Sequence, residues 1–357
     1  GFDWWSVFLV SAPLAAIALY CAWRFVPAHV NETSAPVDHL GGMLSILLVA
    51  ALVLAINLAP EPGKGRTAVI LGIVAIAAIG AFVLRQRRVA DPLYDLRVAA
   101  RPTFWVAALA GIIVFGSLMG AMFVGQQFVQ NVLGYSTFQA GLAIIPGAIG
   151  MILVAPQSAK LVEARGSRFT LLVGDSFCLL AFLVMLLLWD EGASYFPVGL
   201  GFLLMGIGVG FAGTPASRSL TGSVPVRRAG MASGTADLQR DLGGAIMQSI
   251  FGALLTAGYA KAFAAQIASS PHASDVSDKV QNELTKSFSS AANTARQYPE
   301  YAHAIAGAAR KSFLDGGDWT YAAGMIAVAV GICVVFFLFP KHERELDLLE
   351  RYHAEDA

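Results

Sequence analysis

The chain has 357 residues, of which 56% are hydrophobic and 13% charged, with 24 basic and 24 acidic side chains and a mean hydropathy of +0.64. A soluble domain carries about a quarter charged residues, and here the apolar residues gather in runs of about twenty, the length that crosses bilayer hydrocarbon. Composition excludes an ordinary soluble globule, and a net charge of zero offers no basic patch for nucleic acid.

In chain order, nine candidate transmembrane helices are predicted at 4–26, 40–59, 67–85, 104–130, 139–160, 169–189, 196–220, 231–258 and 319–340, which makes this an all-α polytopic membrane protein. The breaks at 59–67 (APEPGKGRT) and 189–195 (WDEGASY) are short polar turns, whereas 85–103 is longer and rich in arginine. Lys and Arg in short loops mark the cytoplasmic side. Arg85, Arg87, Arg88, Arg97 and Arg101 fall on one side with Lys160, Arg165, Arg168, Arg227, Arg228 and the tail's Lys341, Arg344 and Arg351; the other side's short loops offer Lys64 and Arg66. The first group is predicted to be cytoplasmic, with the N-terminus of this chain outside and the C-terminus inside. A chain that starts outside on Gly1, with no basic leader region, presents no signal peptide and reads as a piece of a longer protein.

Polar residues inside apolar runs are the functional candidates. Along 233–252, Ser233, Asp237, Arg240, Asp241, Gly244, Gln248 and Gly252 recur at helical spacing and form one polar or small stripe. Such a stripe faces other helices or a water-filled cavity, where Asp237 or Asp241 could take a proton. In the alternative, Asp237 and Arg240 pair locally at the cytoplasmic mouth. Gln126 and Gln130, with Gln127 and Asn131, crowd the outer end of the fourth span, either capping a helix end or lining the outer substrate path. Asp175 is a lone carboxylate inside the sixth span, two turns from Arg168. Lys160, Glu163, Arg165 and Arg168 form either a cytoplasmic gate latch or plain positive-inside anchoring.

Glycines 206, 208 and 210 lie within a lipid-spanning run and are expected to serve close helix packing. Pro13, Pro146, Pro156 and Pro215 fall inside spans and should bend them. The stretch 259–318 carries six basic and six acidic residues; its four-residue apolar steps from Val276 and from Tyr301 predict two amphipathic helices outside the membrane, either a tolerated insertion or a lid. Cys21, Cys178 and Cys333 have no metal-ligand spacing, so neither a metal nor a cofactor is expected. No Ser-His-Asp constellation or H-E-x-x-H occurs, so an enzyme is not expected.

Several segments carry a family resemblance. GFDWWSVFLVSAPLAAIALYCAWRFVP resembles the sixth helix of the 14-helix QacA/EmrB-type drug:proton antiporters of the major facilitator superfamily, with Ser11 and Pro13 where that family tends to have Asn and Pro. DPLYDLRVAARPTF resembles its P-L-x-D-L-x-L-F segment. FVQNVLGYSTFQAGLAIIPGAI is similar to its Y-L-Q-x-V-L-G-Y-S-x-x-Q-A-G-L-x-x-L-P signature, and LVEARGSR to its G-R-L-x-D-R-x-G-x-R turn. AGMASGTADLQRDLGG resembles A-G-x-A-S-G-x-x-N-x-x-R-Q-L-G-G, matching the family at Arg240 but not at the two Asp positions.

The resemblance implies helices six to fourteen of a major facilitator fold that lacks most of its N-terminal half. Residues 1–27 would be the last helix of that half, 28–102 two inserted linker helices, 103–340 the six-helix C-terminal half with its extracytoplasmic insert 259–318, and 341–357 a cytoplasmic tail. Halves of this kind rock around a midplane site. The implied function is efflux of small hydrophobic or amphiphilic drugs from a bacterial inner membrane by proton antiport, with protons, membrane lipids and the missing N-terminal helices as partners. Export of an endogenous lipid-like metabolite is the alternative on the same fold. A non-transporting scaffold or fragment is the alternative from another class.

Overall fold

A computed structural model describes residues 9, 11–25, 38–59, 63–270 and 276–356. The described residues are helical or in turns, with no strand among them, and the chain divides into a unit over 1–37 and a second over 38–357. Of the first unit, helix α1 (Ser11–Phe25) is described and none of its residues is buried within the chain. Residues 4–8, Val10 and Val26 of the predicted opening span lie outside the described residues.

The second unit opens with a hairpin of α2 (His39–Leu58) and α3 (Gly65–Arg88). The side chain of Asp38 caps α2 by accepting from the Gly41 amide at 3.0 Å. It also accepts from Arg85 Nε and Nη2, at 3.2 and 3.1 Å, and from Gln86 Nε2 at 3.2 Å. Gln86 is itself fixed by the Tyr94 amide, which donates to Oε1 at 2.9 Å. One carboxylate thus closes the base of the hairpin. The Gly41 amide and the Arg85 and Gln86 donors hold its pKa below the ordinary aspartate range, although burial opposes them.

A four-residue helix α4 (Leu96–Ala99) leads to α5 (Pro102–Asn131), where proline occupies the first turn that has no need of its amide. Helix α6 (Thr137–Ala143) starts with a Ser136/Gln139 capping box. Helix α7 (Ile145–Leu188) combines the predicted fifth and sixth spans. It bends at Gly166, whose φ of 83° and ψ of 166° fall in a region that only glycine enters cheaply. Helices α8 (Tyr195–Gly222), α9 (Ala229–Ala268) and α12 (Ala302–Leu338) complete the bundle. Among the described residues seven helical runs are long and apolar enough to cross a membrane, the longest being 137–188 with its two predicted spans on either side of Gly166.

The two halves of α7 explain the glycines of α8. A Cβ at Gly206 would strike the Gly147 carbonyl, and one at Gly210 would lie 3.0 Å from the Met151 carbonyl, so this edge lies on the first half of α7. A Cβ at Gly208 would come within 2.5 Å of Cys178 Sγ and 2.8 Å of the Gly174 carbonyl, on the second half. Small residues on two edges let α8 wedge between both arms of one bent helix. Phe182 and Phe251 meet edge to face at 5.9 Å inside the bundle. At one end Trp189 stacks on Phe128 at 4.9 Å and meets Tyr321 at 5.8 Å.

Two boundaries differ from the sequence expectation. Helix α9 continues beyond 258 to Ala268, and α12 begins at Ala302 rather than near 319. The cause is a close crossing that outlasts the apolar run. A Cβ on Gly258 would meet the Gly316 Cα at 2.7 Å, and Tyr259 and Phe263 are buried beyond it. Of the two predicted amphipathic stripes, the first runs from Val276 through the short helix α10 (Asp278–Lys286) to Phe288, which opens α11 (Phe288–Gln297), and the second runs from Tyr301 into α12. Pro146 lies in the first turn of α7, and Pro156 and Pro215 lie within helices.

Candidate functional site

Helices α5 and α9 cross on small residues. The Gly116 amide edge faces Gly243, where a Cβ would overlap the Ile112 carbonyl, and Gly120 packs on Phe251. This crossing fixes which stripe of α9 is buried. Gln239, Gly243, Met247 and Phe251 point into α5. Asp237, Arg240 and Asp241, on the neighbouring stripe, are exposed.

On that exposed face Asp237 and Arg240 pair at 3.4 Å, and the Arg240 guanidinium lies 5.4 Å from the centroid of the Phe115 ring on α5. The ion pair is half solvated and worth little in stability. Further along α9, Gly244 faces Met119, and Gly252 faces Phe123. Gly213 of α8 approaches Phe115 from the other side, and Gln248 is partly exposed on the same stripe. The surface is thus apolar and aromatic along α5 and polar along α9. Asp241 takes no hydrogen bond or ion pair from the described residues.

The remaining predicted residues separate. Gln126 donates to the Ala140 carbonyl at 3.0 Å and ties α5 to α6, while Gln130 donates to the Gln126 carbonyl at 3.1 Å, within its own helix. Asp175 is 1% exposed and lies in the second half of α7, one residue from the Gly174 contact with α8. Neither of its carboxylate oxygens has a hydrogen-bond partner among the described residues. It does not share the exposed face of α9.

The 160–168 cluster does not close on itself. Glu163 pairs with Arg218 at the end of α8, at 3.7 Å. Arg168 donates to the Phe336 carbonyl on α12 and lies 4.9 Å from that ring's centroid, whereas Arg165 lies over Phe169 at 5.0 Å. Lys160 is exposed.

Sequence reading missed two features of this end. Gln239 is 1% exposed, packed end-on against Gly111, with both amide atoms lacking a partner among the described residues. The tail is the second: helix α13 (His342–Asp356) lies across the arginine-rich end. Glu345 accepts from the Ser167 amide at 3.0 Å, Leu349 approaches Gly222, and Tyr352 receives Arg101 at 4.2 Å from its ring centroid. Arg101 also donates to the Ser223 carbonyl at 2.6 Å. The period of the tail was visible in Leu346, Leu349 and Tyr352, but its acceptor surface comes from three distant turns.

The chain is 34% identical over 257 residues to the multidrug resistance protein Stp of Mycobacterium tuberculosis, covering 71% of this chain and 47% of that protein. It is 28% identical over 258 residues to the multidrug efflux pump LfrA of Mycolicibacterium smegmatis, covering 72% and 51%. It is 29% identical over 265 residues to the drug efflux pump JefA of M. tuberculosis, with the same shares. The chain therefore spans about half the length of the curated relatives it matches. A solved bacterial homologue of the human lysosomal transporter Spinster, inward-facing and occupied, aligns over 89% of this chain and 70% of that one, with 15% identity and a TM-score of 0.47. Residues 1–248 match the Major Facilitator Superfamily as a family, and a match over that share of an all-helical, membrane-spanning chain establishes that it belongs to the Major Facilitator Superfamily.

Proposed function

We propose that the chain forms one wall of a secondary transporter that exports small hydrophobic or amphiphilic drugs by proton antiport with alternating access. The observation that carries this is the exposed face where Arg240, Asp241 and Gln248 of α9 border Phe115, Met119 and Phe123 of α5. Charges on a membrane-spanning helix are costly against lipid, so this face belongs against water and an opposing wall. The aromatic half offers contact for apolar substrates, and cations gain from ring faces. The names of the multidrug relatives support the substrate class, and their greater length fits an opposing wall contributed by residues the chain does not span.

Asp241 is the carboxylate best placed to exchange a proton, because Asp237 is already committed to Arg240. Binding of a proton at Asp241 and of substrate on the aromatic half would bias the same rocking equilibrium in opposite senses. The arginine-rich end is assigned to the cytoplasm by the Lys and Arg distribution. There the Glu163–Arg218 pair joins the bend of α7 to α8 and acts as a gate contact.

Everted membrane vesicles containing the complete protein test this reading. Ethidium should accumulate when the lumen is acidified and leak out when the gradient is collapsed. D241N should remove the pH dependence of transport while leaving ethidium binding within about threefold. Accumulation indifferent to the gradient would remove proton coupling. No accumulation, with altered envelope lipids on deletion of the gene, would move the assignment to lipid export.

A further inference from the structure

Beyond the wall of α5 and α9, a cavity lies at the opposite end of the bundle, where α9 and α12 run on past their apolar stretches. It has a volume of about 340 Å³, at the lower end of the range for small-molecule sites. Phe263 and Ile267 of α9, Val280 and Leu284 of α10, and Ile305 of α12 line it, and none of the lining residues among the described ones is charged. It falls outside the 1–248 stretch shared with the family.

The walls of this cavity are built. The close crossing of Gly258 and Gly316 locks α9 to α12 just below it. Tyr259 donates from its hydroxyl to the Leu284 carbonyl at 3.1 Å and so fixes α10 as a side wall. Gln266 spans the two long helices, donating from Nε2 to the Ala308 carbonyl at 3.2 Å and to Ser312 Oγ at 2.7 Å. Both donor hydrogens are thereby used, and the amide oxygen takes no hydrogen bond from the described protein. Tyr298 adds a phenol at the rim, 40% exposed. Apolar walls with no described residue against them forgo dispersion contacts, and a charged ligand would meet no counter-charge among the described lining residues.

We propose that this cavity binds an uncharged amphiphile, with its apolar body between Phe263, Val280 and Ile305 and a hydroxyl or amide donor directed to Gln266. The binding is independent of the transport reading, because it needs neither Asp241 nor a proton gradient. Two sources share this chemistry, a neutral membrane lipid and a compound released from the transport path.

Photolabelling the complete protein in nanodiscs with dodecan-1-ol carrying a mid-chain diazirine tests the site. Adducts should concentrate on the cavity walls between 263 and 308, at least tenfold above those on outward-facing residues such as Ile73 and Ile326. A308W, which fills the cavity while keeping the carbonyl that Gln266 uses, should cut the cavity adducts about tenfold and leave the others unchanged. V280K, on a short helix outside the bundle, should do the same if A308W fails to fold. Excess uncharged dioleoylglycerol or an uncharged drug-sized amphiphile should protect, and whichever protects identifies the source. Adducts spread evenly over apolar surfaces, persistence in a folded V280K, protection by neither competitor, or equal protection by dodecyl sulfate would overturn the proposal.

Discussion

Gly243 shows how a single atom decides what α9 presents. A side chain there would overlap the Ile112 carbonyl, and backbone cannot yield as a flexible side chain does. G243V should therefore push α9 away from α5 and destabilise the protein by about 2–4 kcal/mol, the overpacking range and above, visible as a lower melting temperature in detergent. The same crossing explains why part of the site was legible and part was not. Asp237, Arg240 and Asp241 stand out in the sequence as charges in an apolar run, and helical spacing puts them on one stripe. The stripe beside it, Gln239 with Gly243 and Met247, gives no such signal. Which of two adjacent stripes is buried depends on Gly111 and Gly116, more than a hundred residues away, and no local pattern contains that partner. Gln239 is buried as an amide without a protein partner, an arrangement that costs on the order of 1–3 kcal/mol.

At the scale of elements, two helix ends show how side chains seal the backbone there. Asp38 closes the α2–α3 hairpin as a carboxylate held below its ordinary pKa. A lowered folded pKa means the contribution is complete above the unfolded value near 4 and is lost as pH falls through the folded value. Melting temperatures of the native protein should drop between about pH 4 and pH 2 by more than those of D38N, which begins lower and lacks this contribution. The tail makes a second such contact: Glu345 accepts from Ser167, the first amide beyond the Gly166 bend. E345A should cost about 0.5–2 kcal/mol, comparable to losing an N-cap, while E345Q, whose amide oxygen still accepts, should recover most of it. A melting series on the three proteins checks the order. Spans were readable from composition because bilayer thickness imposes their length. The extension of α9 to Ala268 was not, because it rests on the Gly258–Gly316 crossing rather than on hydropathy.

At the largest scale, the helices of the second unit form a bundle whose two ends differ in chemistry. One end carries Arg85, Arg101, Arg168, Arg218 and Arg228, with Arg101 held against the tail helix; the other carries α10, α11 and the apolar cavity. With the native cysteines at 21, 178 and 333 replaced by alanine, E283C should react with a membrane-impermeant maleimide in intact cells. E350C should react only after permeabilisation, and the reverse pattern would invert the proposed orientation. The family was legible from ordered motifs, since these mark turns where backbone geometry restricts the residues allowed. The tail contact also sets a timetable. Glu345 lies 178 residues after Ser167, so at about 5–20 residues per second of synthesis that amide waits roughly 10–40 s for its acceptor. During that interval the second half of α7 sits in the nascent protein with its first turn unsealed, and that seal closes only once α13 has emerged from the ribosome.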